Sequence, residues 1–110
     1  MRQMENGARP RLPDLYLDVD GARLRYRDEG HGAVLILVHG WMLDLDMWEA
    51  QAAALSAAYR VIRWDRRGFG LSSGMPSLAR DVDDLAALCR RLKLRRYKVV
   101  EKGEDIFVVA

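Results

Sequence analysis

Apolar side chains recur along this chain with two different periods, and the change of period marks its elements. Leu15, Leu17 and Val19 alternate with more polar neighbours, and Leu24 and Tyr26 alternate with Arg23, Arg25 and Arg27. Strict alternation marks a half-buried strand, and Asp20-Gly21 between the two runs is a tight-turn signal, so this segment predicts a β-hairpin. After a turn at Glu29–Gly32, the run Ala33–Val38 is apolar without alternation, as expected of a strand buried on both faces of a parallel sheet. Tyr59–Trp64 and Tyr97–Val100 read as two further buried strands.

Between the strands the period lengthens to that of a helix. Trp48, Ala52 and Leu55 share one face of a helix whose start is signalled by Asp46 and Glu49 at capping-box spacing. Ser77 is the expected N-cap of a longer helix carrying the stripe Leu78, Val82, Leu85, Cys89 and Leu92. Acids early in it (Asp81, Asp83, Asp84) and bases late (Arg90, Arg91, Lys93) suit the helix dipole. The last ten residues predict a turn over Glu101–Asp105 and one more short strand, Ile106–Ala110. A hairpin followed by strand–helix–strand–helix–strand predicts an α/β fold, with a mostly parallel sheet and an N-terminal antiparallel hairpin. Residues 1–13, with three Arg, two Pro and no apolar period, are expected to form a flexible arm.

Composition narrows the function class. Half the residues are hydrophobic, too many for a disordered chain. The net charge of +2 is carried by scattered basic residues, which argues against a nucleic-acid partner. A single cysteine, Cys89, excludes an internal disulfide. No apolar run approaches the roughly 20 residues that span a bilayer, and residues 1–13 contain no apolar leader core. A cytoplasmic protein with no membrane partner is expected.

Candidate chemistry gathers in two loops, each following an apolar run: His39-Gly40-Trp41, and Asp65 through Ser72 (Asp-Arg-Arg-Gly-Phe-Gly-Leu-Ser). Gly40 allows a tight turn at the carboxyl end of a central strand, where open α/β sheets place their ligands. In the second loop, Gly68 and Gly70 permit unusual backbone angles, while Asp65 and Arg67 are suited to bracing neighbouring loops by charge-assisted hydrogen bonds.

Strand, His-Gly, a helix carrying Trp48, strand, Asp-x-Arg-Gly-x-Gly-x-Ser, helix and strand follow one another from about Asp20 to Val100. In that order the segment resembles the N-terminal part of the α/β-hydrolase family. The resemblance implies that the loop after the first buried strand supplies a backbone N–H to an oxyanion hole, from Trp41 or Met42. It also implies that His39, Gly40, Asp65, Arg67, Gly68, Gly70 and Ser72 are architecture rather than catalysis, because the family's catalytic His comes late in the chain.

Gly70-Leu71-Ser72-Ser73-Gly74 spells the G-x-S-x-G of a nucleophile elbow. An elbow, however, needs a strand running straight into the turn and a helix starting right after the serine. Here the expected strand ends at Asp65, and Pro76 delays the next helix to Ser77, so Ser72 is read as a decoy. The family's elbow would follow Val100, where Gly103 occupies the nucleophile position. His31 lies in a turn before the first buried strand. Asp44 and Asp46 read as loop and cap residues rather than metal ligands, Cys89 as core, and Trp41, Met42, Met47 and Trp48 as loop or core packing.

The expectation is therefore an incomplete α/β-hydrolase domain over residues 14–110, with no catalytic residue, metal or cofactor of its own. Full-length members would act on a small ester-like substrate by acyl transfer to water, and this chain would be inert alone. Two alternatives stand beside it: half of a split hydrolase needing a C-terminal partner, or a non-catalytic binding module. In the second of these, an open sheet edge would be a template for self-association.

Overall fold

The computed structural model describes residues 9–94, 98–102 and 105–109. Strands β1 (Leu15–Val19) and β2 (Ala22–Glu29) form the expected antiparallel hairpin, with Leu17 opposite Leu24 and Val19 opposite Ala22. Gly21 closes the turn at φ +82°, a left-handed backbone that glycine adopts without a steric penalty. β3 (Val34–Val38) and β4 (Arg60–Trp64) lie parallel and in register from Leu35 opposite Val61 to Val38 opposite Trp64. Their connection holds a 3-10 turn (Leu45–Trp48) and helix α1 (Glu49–Leu55), the length of crossover that parallel neighbours require.

Alternation along β3 and β4 sends side chains to two cores. Ile36, Ile62 and Trp64 pack with Leu24 and Tyr26 against Leu88 and Cys89 of α2 (Leu78–Arg91). Leu37 and Val61 join Trp48 and Ala52 on the α1 side. That second side is also highly charged. Arg25, Arg27 and Arg63 are buried there, and they pair with Asp65, Asp14 and Glu49 at 2.7, 2.9 and 2.8 Å. Arg25 and Arg27, which read from the sequence as the polar face of the hairpin, are thus interior groups, each held by a carboxylate.

Four departures from the sequence pattern have physical causes. First, the expected mostly parallel sheet is mixed: its order is β1-β2-β4-β3-β6-β5, and β3–β4 is its parallel pair. β5 (Lys98–Lys102) and β6 (Asp105–Val109) are joined by residues 103 and 104 alone, a connection that only antiparallel neighbours can use. The hairpin they form docks through β6 on the free edge of β3, from Leu35 opposite Val109 to Val38 opposite Ile106. The strand expected third in a parallel array is instead the last in the sheet. Second, Asp44 rather than Asp46 caps the chain entering α1: its carboxylate accepts the Asp46 N–H at 2.9 Å. The Glu49 side chain, expected to reach back to the cap, is drawn to Arg63 and Arg9 at 2.8 and 2.9 Å.

Third, α2 begins at the predicted Ser77 cap, yet its apolar stripe divides: Cys89 is buried while Leu78 and Val82 are each 69% exposed, and Leu88, outside the expected stripe, is buried beside Cys89. Fourth, the described end of the expected arm is anchored, because Arg9 donates to Glu29 at 2.6 Å. Residues 1–8 of that arm lie outside the described residues, as do Tyr97 and Gly103. Among the described residues, no helix is long and apolar enough to cross a membrane.

Candidate active site

The loop leaving β3 is set by His39, which is almost fully buried. Its Nε2 accepts the Arg66 backbone N–H at 2.8 Å, and its Nδ1 lies 2.7 Å from the Gly40 carbonyl oxygen. A carbonyl only accepts, so Nδ1 carries the hydrogen and the ring is held as the neutral Nδ1–H tautomer. Burial pushes its pKa below the ordinary value; the Gly40 carbonyl opposes that shift and the Arg66 charge adds to it. Both nitrogens are committed to backbone, as for a residue that splices two loops together.

The sign of this shift makes a pH prediction. Because the folded pKa is depressed, the unfolded chain takes up the proton first as pH falls below about 6.5. The stability held by neutral His39 is complete above that pH and declines as pH drops toward the folded pKa. Thermal melts between about pH 8 and about pH 5 should show Tm falling below pH 6.5, with a flatter decline in His39→Gln. Equal slopes in the two proteins would contradict the assignment.

Gly40 opens a turn closed by the Leu43 N–H on the Gly40 carbonyl at 3.1 Å, with Met42 at φ +67°. The Trp41 ring rests edge-on against Phe69, centroids 4.9 Å apart, and beneath the Arg66 guanidinium at 5.1 Å. Trp41 and Met42 are exposed, and their backbone N–H groups donate to no protein acceptor among the described residues. Both amides lie in the loop that leaves the carboxyl end of β3.

Asp65 braces the second loop from inside. Its side chain is completely buried and accepts three hydrogen bonds: Arg25 Nε at 2.7 Å, the Leu45 N–H at 2.7 Å and the Leu71 N–H at 2.8 Å. It thereby ties the hairpin, the α1 approach and its own loop together. Gly70 has φ +56°, and a Cβ there would overlap the Asp65 carboxylate; one at Gly68, φ +81°, would overlap Pro76. Arg67 grips Asp84 of α2 with two bonds, at 2.7 and 2.8 Å, and donates to the Asp20 carbonyl at 2.9 Å.

Ser72 is where an elbow serine is not found. Only 7% exposed, its Oγ accepts the Arg25 N–H at 2.8 Å and donates to the Asp65 carbonyl at 2.7 Å. The hydroxyl's hydrogen is committed, and His39 already serves Arg66. After β5 the chain returns as β6, so the strand–turn–helix of an elbow is replaced by strand–strand there. Asp46, weighed as a cap or metal residue, faces Arg27 at 3.4 Å. Cys89 is buried beside Leu88, with its thiol pKa pushed up by burial.

Sequence reasoning missed Arg66 and Asp81. Arg66 donates through Nε and Nη2 to Asp81 Oδ2, at 2.9 and 2.7 Å, and through Nη1 to the His39 carbonyl at 3.2 Å. The adjacent pair Arg66-Arg67 meets Asp81 and Asp84 one to one. Spacing three apart put both acids on one helix face, and that was the available signal. Beside this pair a groove of about 600 Å³ runs between the β3 loop and α2, walled by Val38, Trp64, Leu78, Val82 and Leu85.

Residues 33–100, more than half of the chain, match the alpha/beta hydrolase fold family. The chain belongs to the α/β-hydrolase family. It is 43% identical over 83 residues to the non-heme chloroperoxidase of Streptomyces lividans, covering 69% of this chain and 30% of that protein. To the pimeloyl-[acyl-carrier protein] methyl ester esterase of Aliivibrio salmonicida it is 36% identical over 64 residues, 58% of this chain and 24% of the esterase. A solved hydrolase from Pseudomonas aeruginosa PA01 superposes with a TM-score of 0.69 at 39% identity, over 76% of this chain and 34% of that structure. Against these α/β-hydrolases the chain spans about a third of their length or less.

Proposed function

We propose that this chain carries the oxyanion-binding side of an α/β-hydrolase active site, and that it does not turn over substrate alone. In this reading the Trp41 N–H, with Met42 as the alternative donor, stabilises the negative oxygen that forms when an ester-like carbonyl is attacked. The nucleophile, the acid and the base come from elsewhere in the fold. His39, Gly40, Asp65, Arg67, Gly68, Gly70 and Ser72 hold the loops in place and do not touch substrate. Residues 14–110 act as one incomplete domain, with residues 1–13 as an arm. A cytoplasmic setting suits a chain whose one cysteine is packed in a core.

The observation that carries this reading is the Ser72 hydroxyl, locked between the Arg25 amide and the Asp65 carbonyl. A serine nucleophile must pass its proton to a base within about 2.6–3.2 Å, and Ser72 points its hydrogen at a backbone oxygen instead. Release of p-nitrophenol from p-nitrophenyl acetate by the purified chain should equal that of a Ser72→Ala control. Saturable turnover that vanishes in Ser72→Ala would overturn the proposal.

A further inference from the structure

We propose that a cavity on the α1 side of the sheet is a binding site for a phosphate group, held by arginines of β2, β4 and the segment before β1. Neither the His39–Trp41 loop nor α2 contributes to it, so it stands independently of the oxyanion-binding reading.

The cavity, of about 280 Å³, is bordered by residues 9–12, β2, β4 and the approach to α1. Four guanidinium groups, of Arg9, Arg11, Arg27 and Arg63, line it together with two carboxylates, of Asp46 and Glu49. Asp14 and Glu29 also pair with these arginines but form no part of the lining. A guest therefore meets a surface with positive charge in excess, in a space that suits a small ion or a short molecule.

Two of these arginines break a rule of sheet pairing. Arg27 of β2 and Arg63 of β4 are direct cross-strand partners, and both are buried. Residues so paired have Cβ atoms about 4.5–5.5 Å apart, and like charges there are destabilising. Functional sites are where a fold tolerates such a breach. Asp14 accepts from Arg27 Nε and Glu49 from Arg63 Nη2, at 2.9 and 2.8 Å. Their further acceptors stand at 3.4 Å or more, longer than a good charged hydrogen bond.

Arg63 Nε is the deciding atom. It is shielded from solvent and has no hydrogen-bond partner among the described residues, on a cavity-lining side chain only 1% exposed. Buried donors almost always have an acceptor. A water would satisfy the N–H and leave the two cations side by side, whereas an anion answers both. Arg11, exposed at the cavity wall, makes no hydrogen bond or ion pair among the described residues. Guanidinium forks match carboxylate and phosphate alike. Here they come from two strands and a third segment, so the acceptor must offer oxygens in several directions. A tetrahedral phosphate does so and a planar carboxylate does not.

Calorimetry with inorganic phosphate and with glycerol phosphate, at constant ionic strength in chloride buffer, tests the site. Working at about pH 8 keeps phosphate monoesters dianionic. Saturable one-to-one binding is expected for at least one of the two, with a dissociation constant of about 1 mM or tighter. Tighter binding of the ester marks an organic phosphate as the guest; tighter binding of the free ion marks inorganic phosphate. Arg11→Gln, exposed and unpaired, should keep the wild-type circular dichroism and weaken binding about tenfold. Arg63 also holds Glu49, so its part is read in the unaltered chain: its Nε–H resonance should move on titration. No saturable binding, malonate bound as tightly as phosphate, or binding that leaves both the Arg11→Gln affinity and the Arg63 Nε–H resonance unchanged would each overturn the proposal.

Discussion

Asp65→Asn should unfold this domain or leave it barely folded, with a loss of about 3–5 kcal/mol read from denaturant titration. The wild-type carboxylate, completely buried, receives one charged and two backbone donors on its two oxygens. An amide keeps the shape and one accepting oxygen, but turns an NH2 group toward at least one of those donors. Arg25, 5% exposed at its side chain, then loses its close counter-charge and keeps Asp14 at 3.6 Å. Breaking one partner of a buried pair costs far more than the pair contributes net, because the remaining charge stays desolvated. Small domains have only about 5–15 kcal/mol in total, so this single atom exchange removes a large share. A midpoint within about 1 kcal/mol of wild type would show that the carboxylate is not the brace described.

Asp84→Ala should have a comparable effect by an independent route, again about 3–5 kcal/mol. Its carboxylate is 2% exposed and receives both arms of Arg67, whose remaining bond is to the Asp20 carbonyl in the hairpin turn. Without Asp84, Arg67 still keeps its charge, because a guanidinium does not deprotonate in a protein. Adding Arg67→Met to Asp84→Ala should restore about 1 kcal/mol or more, because the stranded cation goes too. Hydrogen exchange at the β1–β2 turn should quicken in the single variant, as that turn is tied to α2 through Arg67. Strict additivity of the two substitutions would mean that the side chains do not act as a pair.

Local periodicity located most elements because period reports which face is wet. The hairpin, β3, β4 and the Ser77 cap fall where alternation, apolar runs and a capping residue put them. The second loop was legible for the same local reason, because φ values of +81° and +56° at Gly68 and Gly70 favour glycine. In the first loop the left-handed residue is Met42, at φ +67°, and not Gly40. Charge was read less well. Arg25, Arg27 and Arg63 carry the same symbol whether they point at water or at a buried carboxylate, and only neighbours brought from 13 to 40 residues away distinguish the two. The α2 stripe misled in the opposite sense: Leu78 and Val82 have the spacing of core residues, yet each is 69% exposed.

The linear order of residues by itself determined that this is an α/β chain of the hydrolase type, since strand, loop and helix signals are short-range and their succession is specific. It also determined that Ser72 lacks the strand–turn–helix setting of a nucleophile, which spacing from Asp65 to Pro76 already shows. Tertiary structure alone decided where the last hairpin went, because pairing on the edge of β3 depends on a strand some seventy residues earlier being left open. It alone decided which hydrogen-bond partners His39, Ser72 and Asp81 have, since each joins segments distant in sequence. A polar atom's role follows from what surrounds it in space, and that information does not exist until the chain has closed on itself.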